Sequence, residues 1–285
     1  MRVSGVPTPG TRYASTRRIP SGQRTRWSRR SRGTIGRVPV RRDPYRSPAL
    51  NAPDLAAIVD DLGGRSVNYD EALAPPHVTD GWHQDRWTVE LGHEAPGEPE
   101  PDGLVAAADA LVNGYEFTDP SLLRAVYRYP ADVVGRDMLL QGRFAMFRFH
   151  MGVRITAELD ELREGPDGPE RVVGWAYQTL DGHLEQGRLT YEIAKDLTTG
   201  RVEFRIDAYS RQSQIRNPLF RVGFGFFGRH TQLRFYRAAL ERLKDRLPHP
   251  PGEPGPDADG LVRVPTGAPP DRAGWAEIHV VHPGR

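Results

Sequence analysis

The clearest regularity in the chain is the alternation in RVEFRIDAYS, residues 201–210. Val202, Phe204, Ile206 and Ala208 fall on one side; Arg201, Glu203, Arg205 and Asp207 fall on the other. This predicts a strand with one buried and one wet face. Similar patterns predict strands over 86–93 (RWTVELGH), 171–180 and 188–196, and one long bent strand or two shorter ones over 142–162, with Gly152 at the break. Short glycine-bearing links between the later strands imply antiparallel hairpins.

Helical periods lie on either side of these strands. Leu55, Ile58, Val59 and Leu62 share a face, after Pro53 and Asp54 and before Gly63-Gly64. LVAAADALVNG, residues 104–114, reads as an alanine-rich helix ended by glycine. Residues 117–135 are mixed, with Asp119-Pro120 as a helix start. The last large element runs from Asn217 to Leu247. Asn217 suits its cap and Pro218 its first position. Leu219, Phe226, Leu233, Leu240 and Leu247 recur every seven residues, with Val222, Tyr236 and Leu243 beside them. Pro248 stops it, and WAEIHVV near the C-terminus reads as a short strand.

That frame decides how to read GFGFFG, residues 223–228, which has the glycine spacing of a dinucleotide-binding loop. Such a loop follows a strand and opens a helix, so that the helix N-terminus meets the pyrophosphate. Here the motif lies inside the heptad frame. Gly223, Gly225 and Gly228 are therefore expected within a helix, where each costs roughly 1 kcal/mol relative to alanine. Close approach to the sheet or a kink is the expected reason for them.

Composition divides the 285 residues unevenly. Residues 1–50 hold 13 arginines and a single acid, Asp43, a balance of +12 against −10 for the rest. Residues 1–48 are basic, Ser/Gly-rich and poor in apolar side chains, and are expected to be a disordered arm. Such an arm could meet nucleic acid or an acidic surface, but a solvated tail is the favoured reading. STRRIP lacks the apolar run that an export signal needs. Residues 49–248 read as a single domain and 249–285 as a Pro/Gly-rich tail with a short strand. The absence of cysteine excludes disulfides, thiol nucleophiles and cysteine-ligated metals. Val222–Gly228 is far shorter than a membrane span. These features suit a soluble, cytoplasmic protein. No cofactor or metal site is expected: His279 and His282 form an H-x-x-H near the C-terminus, and His83 and His93 lack helical ligand spacing.

An antiparallel meander brings alternate strand ends together. One sheet edge should thus collect His183, Glu185, Ser210 and Arg211, with Tyr177 and Thr179 just inside. These groups can bind an anion, shuttle a proton or hold a turn. As a turn, His183 would bond backbone and Glu185 would pair with Arg211.

The same residues carry a family resemblance. WAYQTLDGHLEQG followed by IDAYSR resembles the paired signatures of the DUF1990 family, roughly F-A-Y-G-T-L-P-G-H-P-E-x-G-E-E and A-F-S-R-P. Ala176, Tyr177, Thr179, Leu180, Gly182, His183, Glu185, Gly187, Ala208, Ser210 and Arg211 match. Gln178, Asp181, Leu184, Arg188, Leu189 and Gln212 depart from it. The resemblance spans about residues 65–247 and carries no established reaction. The order of elements is similar to the helix-grip fold of START-like and pollen-allergen-like proteins. This implies an α+β fold with a curved antiparallel β-sheet packed on a long C-terminal helix, and an apolar space between them. Trp175, Tyr177, Tyr191, Phe204, Phe226 and Leu233 would line that space, with His183 and Arg211 orienting a polar end. A filled core, an enzyme working at the His183/Glu185/Ser210/Arg211 edge, and a module recruiting an anionic partner through the basic arm are the alternatives.

The composition of the arm yields a first prediction. Deleting residues 1–48 should leave the melting temperature nearly unchanged in thermal unfolding. A fall of several degrees would mean that the arm packs on the domain.

Overall fold

The computed structural model describes residues 54–129, 132–144, 147–213, 218–252, 254–267 and 278–281, with only the backbone at 144 and 218–229. The arginine-rich arm, the Asn217 cap, the side chain of Phe226 and His282 lie outside the described residues.

Helix α1, Leu55–Leu62, starts where Asp54 accepts a hydrogen bond from the Ala57 N–H at 3.1 Å, a side-chain N-cap. After a single 3-10 turn at Glu71–Leu73 come β1 (His83–His93) and α2 (Leu104–Asn113). Then follow β2 (Leu123–Arg128), β3 (Asp137–Phe144), β4 (Phe147–Glu164), β5 (Pro169–Thr179), β6 (Glu185–Asp196) and β7 (Arg201–Gln212). Helix α3 runs over Pro218–Arg246, and two short strands close the order, β8 (Leu261–Val264) and β9 (Ile278–Val281).

All nine strands join one curved sheet in the order β1-β7-β6-β5-β4-β3-β2-β8; β9 lies parallel beside the start of β4, and the other pairings are antiparallel. This is the expected α+β arrangement, a large antiparallel sheet with a C-terminal helix.

Several local expectations change. Asp119-Pro120 does not open a helix. Asp119 instead holds a turn, accepting from the Ser121 N–H at 2.8 Å through its side chain and from the Leu122 N–H at 2.9 Å through its carbonyl. Beyond it, Ala125 and Tyr127 point to one side of β2 and Val126 to the other, so the segment is buried on both faces. The break in 142–162 falls between β3 and β4, and Gly152 lies inside β4, paired with Leu139. Its role is proximity: a β-carbon there would come within 2.5 Å of Leu62 Cδ2, so the missing side chain lets α1 lie against the sheet. The segment after α3 supplies two strands. The buried Glu116 carboxylate ties its chain down by accepting the Thr266 N–H at 2.8 and 3.0 Å.

Both faces of the sheet are covered. The inner face packs under α2 and α3, with Val202, Phe204, Ile206 and Ala208 pointing inward as the alternation predicts. The outer face carries α1 on Val126, Leu139 and Leu180 as a second, smaller core. Farther along that face, Glu170 accepts from Arg163 at 2.9 Å and Arg205 at 2.8 Å, and Arg163 also reaches Glu192 at 2.6 Å. Burial would raise the Glu170 pKa, but these arginines hold it below the usual carboxylate value.

The GFGFFG segment is helical and lies within α3. Phe235, Tyr236, Ala239, Leu240 and Leu243 form the buried stripe, while Leu233 and Leu247 are partly buried on its flank. The seven-residue repeat drifts off this stripe because a straight helix turns every 3.6 residues rather than 3.5. Leu240→Ala should therefore cost about 2–5 kcal/mol in urea unfolding, and Leu233→Ala clearly less. Equal costs would place Leu233 in the core as firmly as Leu240.

Candidate functional site

The inner face carries an aromatic cluster. Register sets Trp175 opposite Tyr191, and Tyr191 opposite Ile206, one pair from Phe204. Tyr191 lies 5.0 Å from Trp175 and 6.2 Å from Tyr177, ring centre to ring centre, and stacks on Phe204 at 6.2 Å. The register needs Gly174, whose φ is +146° and where any β-carbon would strike the Tyr191 carbonyl.

The chain leaving α2 completes the cluster. Glycine was expected to end that helix, yet Gly114 stays right-handed, and it is Tyr115 that takes φ +57°. The Tyr115 N–H donates to the Val112 carbonyl at 3.1 Å and the Glu116 N–H to the Leu111 carbonyl at 2.9 Å, a Schellman closure with tyrosine at the left-handed position. A non-glycine residue there costs roughly 1–2 kcal/mol. The arrangement brings the Tyr115 ring to 6.0 Å from Trp175 and Phe117 to 4.7 Å from Tyr191. Trp175 Nε1 donates to the Val112 carbonyl at 3.3 Å, binding the helix end to the sheet.

The phenols in this cluster stand out chemically. Tyr115 is 1% exposed and Tyr191 0%, and the hydroxyls of both lack a hydrogen-bond partner. The two are electrostatic neighbours, and Tyr177 is another. They do not meet in hydrogen-bond geometry, and a long or bent contact delivers little of a bond's energy. Burial pushes the pKa of all three above that of an ordinary tyrosine, so they remain protonated.

The edge constellation is assembled only in part. The 181–187 turn does lie beside the end of β7, with Glu185 opposite Gln212, Gln186 opposite Arg211 and Gly187 opposite Ser210. Alternation then sends neighbours to opposite faces. Glu185 and Ser210 face α3, where Gln232 Nε2 donates to Glu185 Oε2 at 3.4 Å and to Ser210 Oγ at 3.3 Å. Arg211 faces outward. Its Nε donates to Gln186 Oε1 at 2.8 Å and its guanidinium lies 4.4 Å over the Trp82 ring. It pairs with neither Glu185 nor His183, which corrects the expected ion pair. Trp82, Tyr69 and Tyr209 form an outer aromatic group around it, with centroids 5.4–6.2 Å apart, that the sequence reading missed. Asn68 links the two sides through Thr179 Oγ1, which donates to Asn68 Oδ1 at 2.7 Å and accepts from the Gly187 N–H at 2.9 Å.

His183 closes the turn. Its Nδ1 accepts the Glu185 N–H at 2.9 Å, and its backbone N–H donates to the Leu180 carbonyl at 2.9 Å. Burial lowers its pKa to about 4, partly opposed by the Glu185 backbone. Between β4 and β9, His150 Nε2 and His279 Nδ1 lie 3.1 Å apart, a buried contact that linear spacing could not reveal. Among the described residues no group of three or more His, Asp or Glu side chains has a metal-binding arrangement, and no helix is long and apolar enough to cross a membrane.

The His183 environment sets a pH dependence. Its folded pKa lies below the unfolded one of about 6.5, so between these values the unfolded chain binds the proton more tightly. Stability should fall as pH drops from about 6.5 to 4, by at most about 3 kcal/mol. Asp109, raised to about 6 by burial and by Glu158, acts in the opposite sense as pH rises toward 6. The difference between wild type and His183→Asn, which keeps an acceptor for the Glu185 N–H, isolates the histidine. Urea unfolding across this range should show a flatter profile in the variant. Parallel profiles would mean that His183 titrates normally.

A search of curated proteins found no match. Similar solved structures include Ara h 8.0201 (8% identity, covering 59% of this chain and 98% of that one, TM-score 0.35). Another is hypothetical protein jhp0584 from Helicobacter pylori (11%, 63% and 95%, TM-score 0.37). Ginseng major latex-like protein 151 from Panax ginseng is a third (12%, 60% and 99%, TM-score 0.36). At TM-scores below 0.5 none of these likenesses carries an argument about this chain. The signatures quoted above from β5, β6 and β7 fall within a stronger match: the family model for a domain of unknown function, DUF1990, covers residues 68–242, and the chain belongs to that family.

Proposed function

We propose that the domain binds a small, largely apolar molecule between the inner face of the sheet and α3. The observation that carries this reading is the pair of buried, unpartnered hydroxyls on Tyr115 and Tyr191. Leaving a polar group unsatisfied in an apolar interior costs about 1–3 kcal/mol. Phenylalanine would fill the same ring volume without that cost. Two tyrosines at such positions are accounted for by a group that enters and meets them.

The surroundings suit an apolar body. Trp175, Tyr177, Phe117 and Phe204 supply ring surface, and the half-buried Leu233 of α3 packs against the same core. Glu185, Ser210 and Gln232 form a polar rim on the same face. This is the composition of small-molecule sites, mostly apolar walls with a few convergent polar groups. An acid–base reaction at the 183–211 edge has less support, because His183 is engaged in its turn and Arg211 faces outward. The basic arm as a docking segment for an anionic partner remains a separate proposal, tested by salt-sensitive binding that is lost on deleting 1–48.

The reading is tested with the neutral apolar fluorophore N-phenyl-1-naphthylamine and the full chain. A saturable fluorescence rise near one equivalent is expected, with near-UV circular dichroism unchanged. Native mass spectrometry should also show a co-purifying small molecule that is lost on denaturation. No saturable binding and no co-purifying molecule would leave the inner face as a filled core.

A further inference from the structure

Resting on that reading, we infer that the ligand's polar end is a neutral oxygen acceptor of the carbonyl class, held jointly by the Tyr115 and Tyr191 hydroxyls. Both side chains are more than nine-tenths buried and neither hydroxyl has a partner. Their rings stand 6.2 Å apart at 73°, and the two hydroxyls are electrostatic neighbours that do not meet in hydrogen-bond geometry. Two donors that are near but not bonded can share one atom placed between them. A carbonyl oxygen has two lone pairs and accepts from both.

The sign of the recognition follows from the phenols. Burial keeps them protonated, so each offers a donor. A phenol oxygen is a weak acceptor, because its lone pair is delocalised into the ring. An anionic ligand is disfavoured, since the charged side chain whose field reaches Tyr177 is Glu185, itself an anion. Lys195, the inner-face ammonium, is already held by Glu94 at 2.8 Å. A cationic ligand would set its charge against two donor hydroxyls and would need Glu185, which already accepts from Gln232. A neutral acceptor meets none of these costs.

Four probes of one shape separate the possibilities: 9-fluorenone, fluorene, fluorene-9-carboxylate and 9-aminofluorene. Affinities for the full-length chain are measured by equilibrium dialysis, and Trp fluorescence provides a second readout. Fluorenone should bind about tenfold more tightly than fluorene, the expectation for two neutral hydrogen bonds, and more tightly than either charged probe. The variants Tyr115→Phe and Tyr191→Phe should each lose part of that preference, while fluorene affinity stays within about threefold. Because the single variants keep the ring, near-UV circular dichroism should be unchanged. If one variant misfolds, the wild-type ranking and the other variant still decide. Equal binding of fluorenone and fluorene, or a preference for the carboxylate or the amine, overturns the carbonyl assignment and leaves the apolar-ligand reading standing. Binding of none of the four, fluorene included, overturns both.

Discussion

The carboxylate of Glu94 is the constraint on which the inner face depends. Lys195 is fully buried near the end of β6, and its ammonium donates to Glu94 Oε2 at 2.8 Å and to the Glu98 carbonyl at 3.0 Å. The other oxygen, Oε1, accepts the Val105 N–H at 2.8 Å in the first turn of α2, whose own N-cap is Gly103 and offers no side chain. Burial would raise the Glu94 pKa, but the bonds from Lys195, Val105 and Glu100 bring it below normal. One side chain thus neutralises a buried cation, caps a helix and holds the 94–105 loop against the sheet. Removing it would strand the ammonium, which is why breaking such a pair is costly even where forming it adds little net stability. The position of α2 then sets that of Tyr115 and Phe117 over the aromatic cluster.

The second constraint is that the sheet has two covered faces. A period-two strand sends adjacent residues to opposite sides, so proximity along the chain says nothing about a shared site. Ser210 and Arg211 are neighbours in sequence and occupy different environments: one meets Gln232 under α3, the other stacks on Trp82 outside. The outer charges are absorbed into pairs such as Arg163–Glu170–Arg205, and the outer aromatics pack on one another. On the inner side, the Tyr115 and Tyr191 hydroxyls lack hydrogen-bond partners.

The sequence by itself determined the strands 86–93, 171–180, 188–196 and 201–210, the helix over 104–114 and the long C-terminal helix, because each depends on a local period. It also placed GFGFFG inside that helix, and the residues of β5, β6 and β7 carried the family signature. Alternation put Phe204 on the inward face with Val202, Ile206 and Ala208, while Trp175, Tyr177 and Tyr191 were expected there from the fold resemblance. Tertiary structure decided the rest. Tyr115 and Phe117 enter the cluster through a left-handed turn that glycine had been expected to make, and no periodicity reports a single φ. Gly152 proved to be a contact with Leu62 rather than a break, and Glu94 caps a helix eleven residues away. The His150–His279 contact spans 129 residues. Each of these depends on which segments meet in space, and local pattern carries that information only where the connection between segments is short.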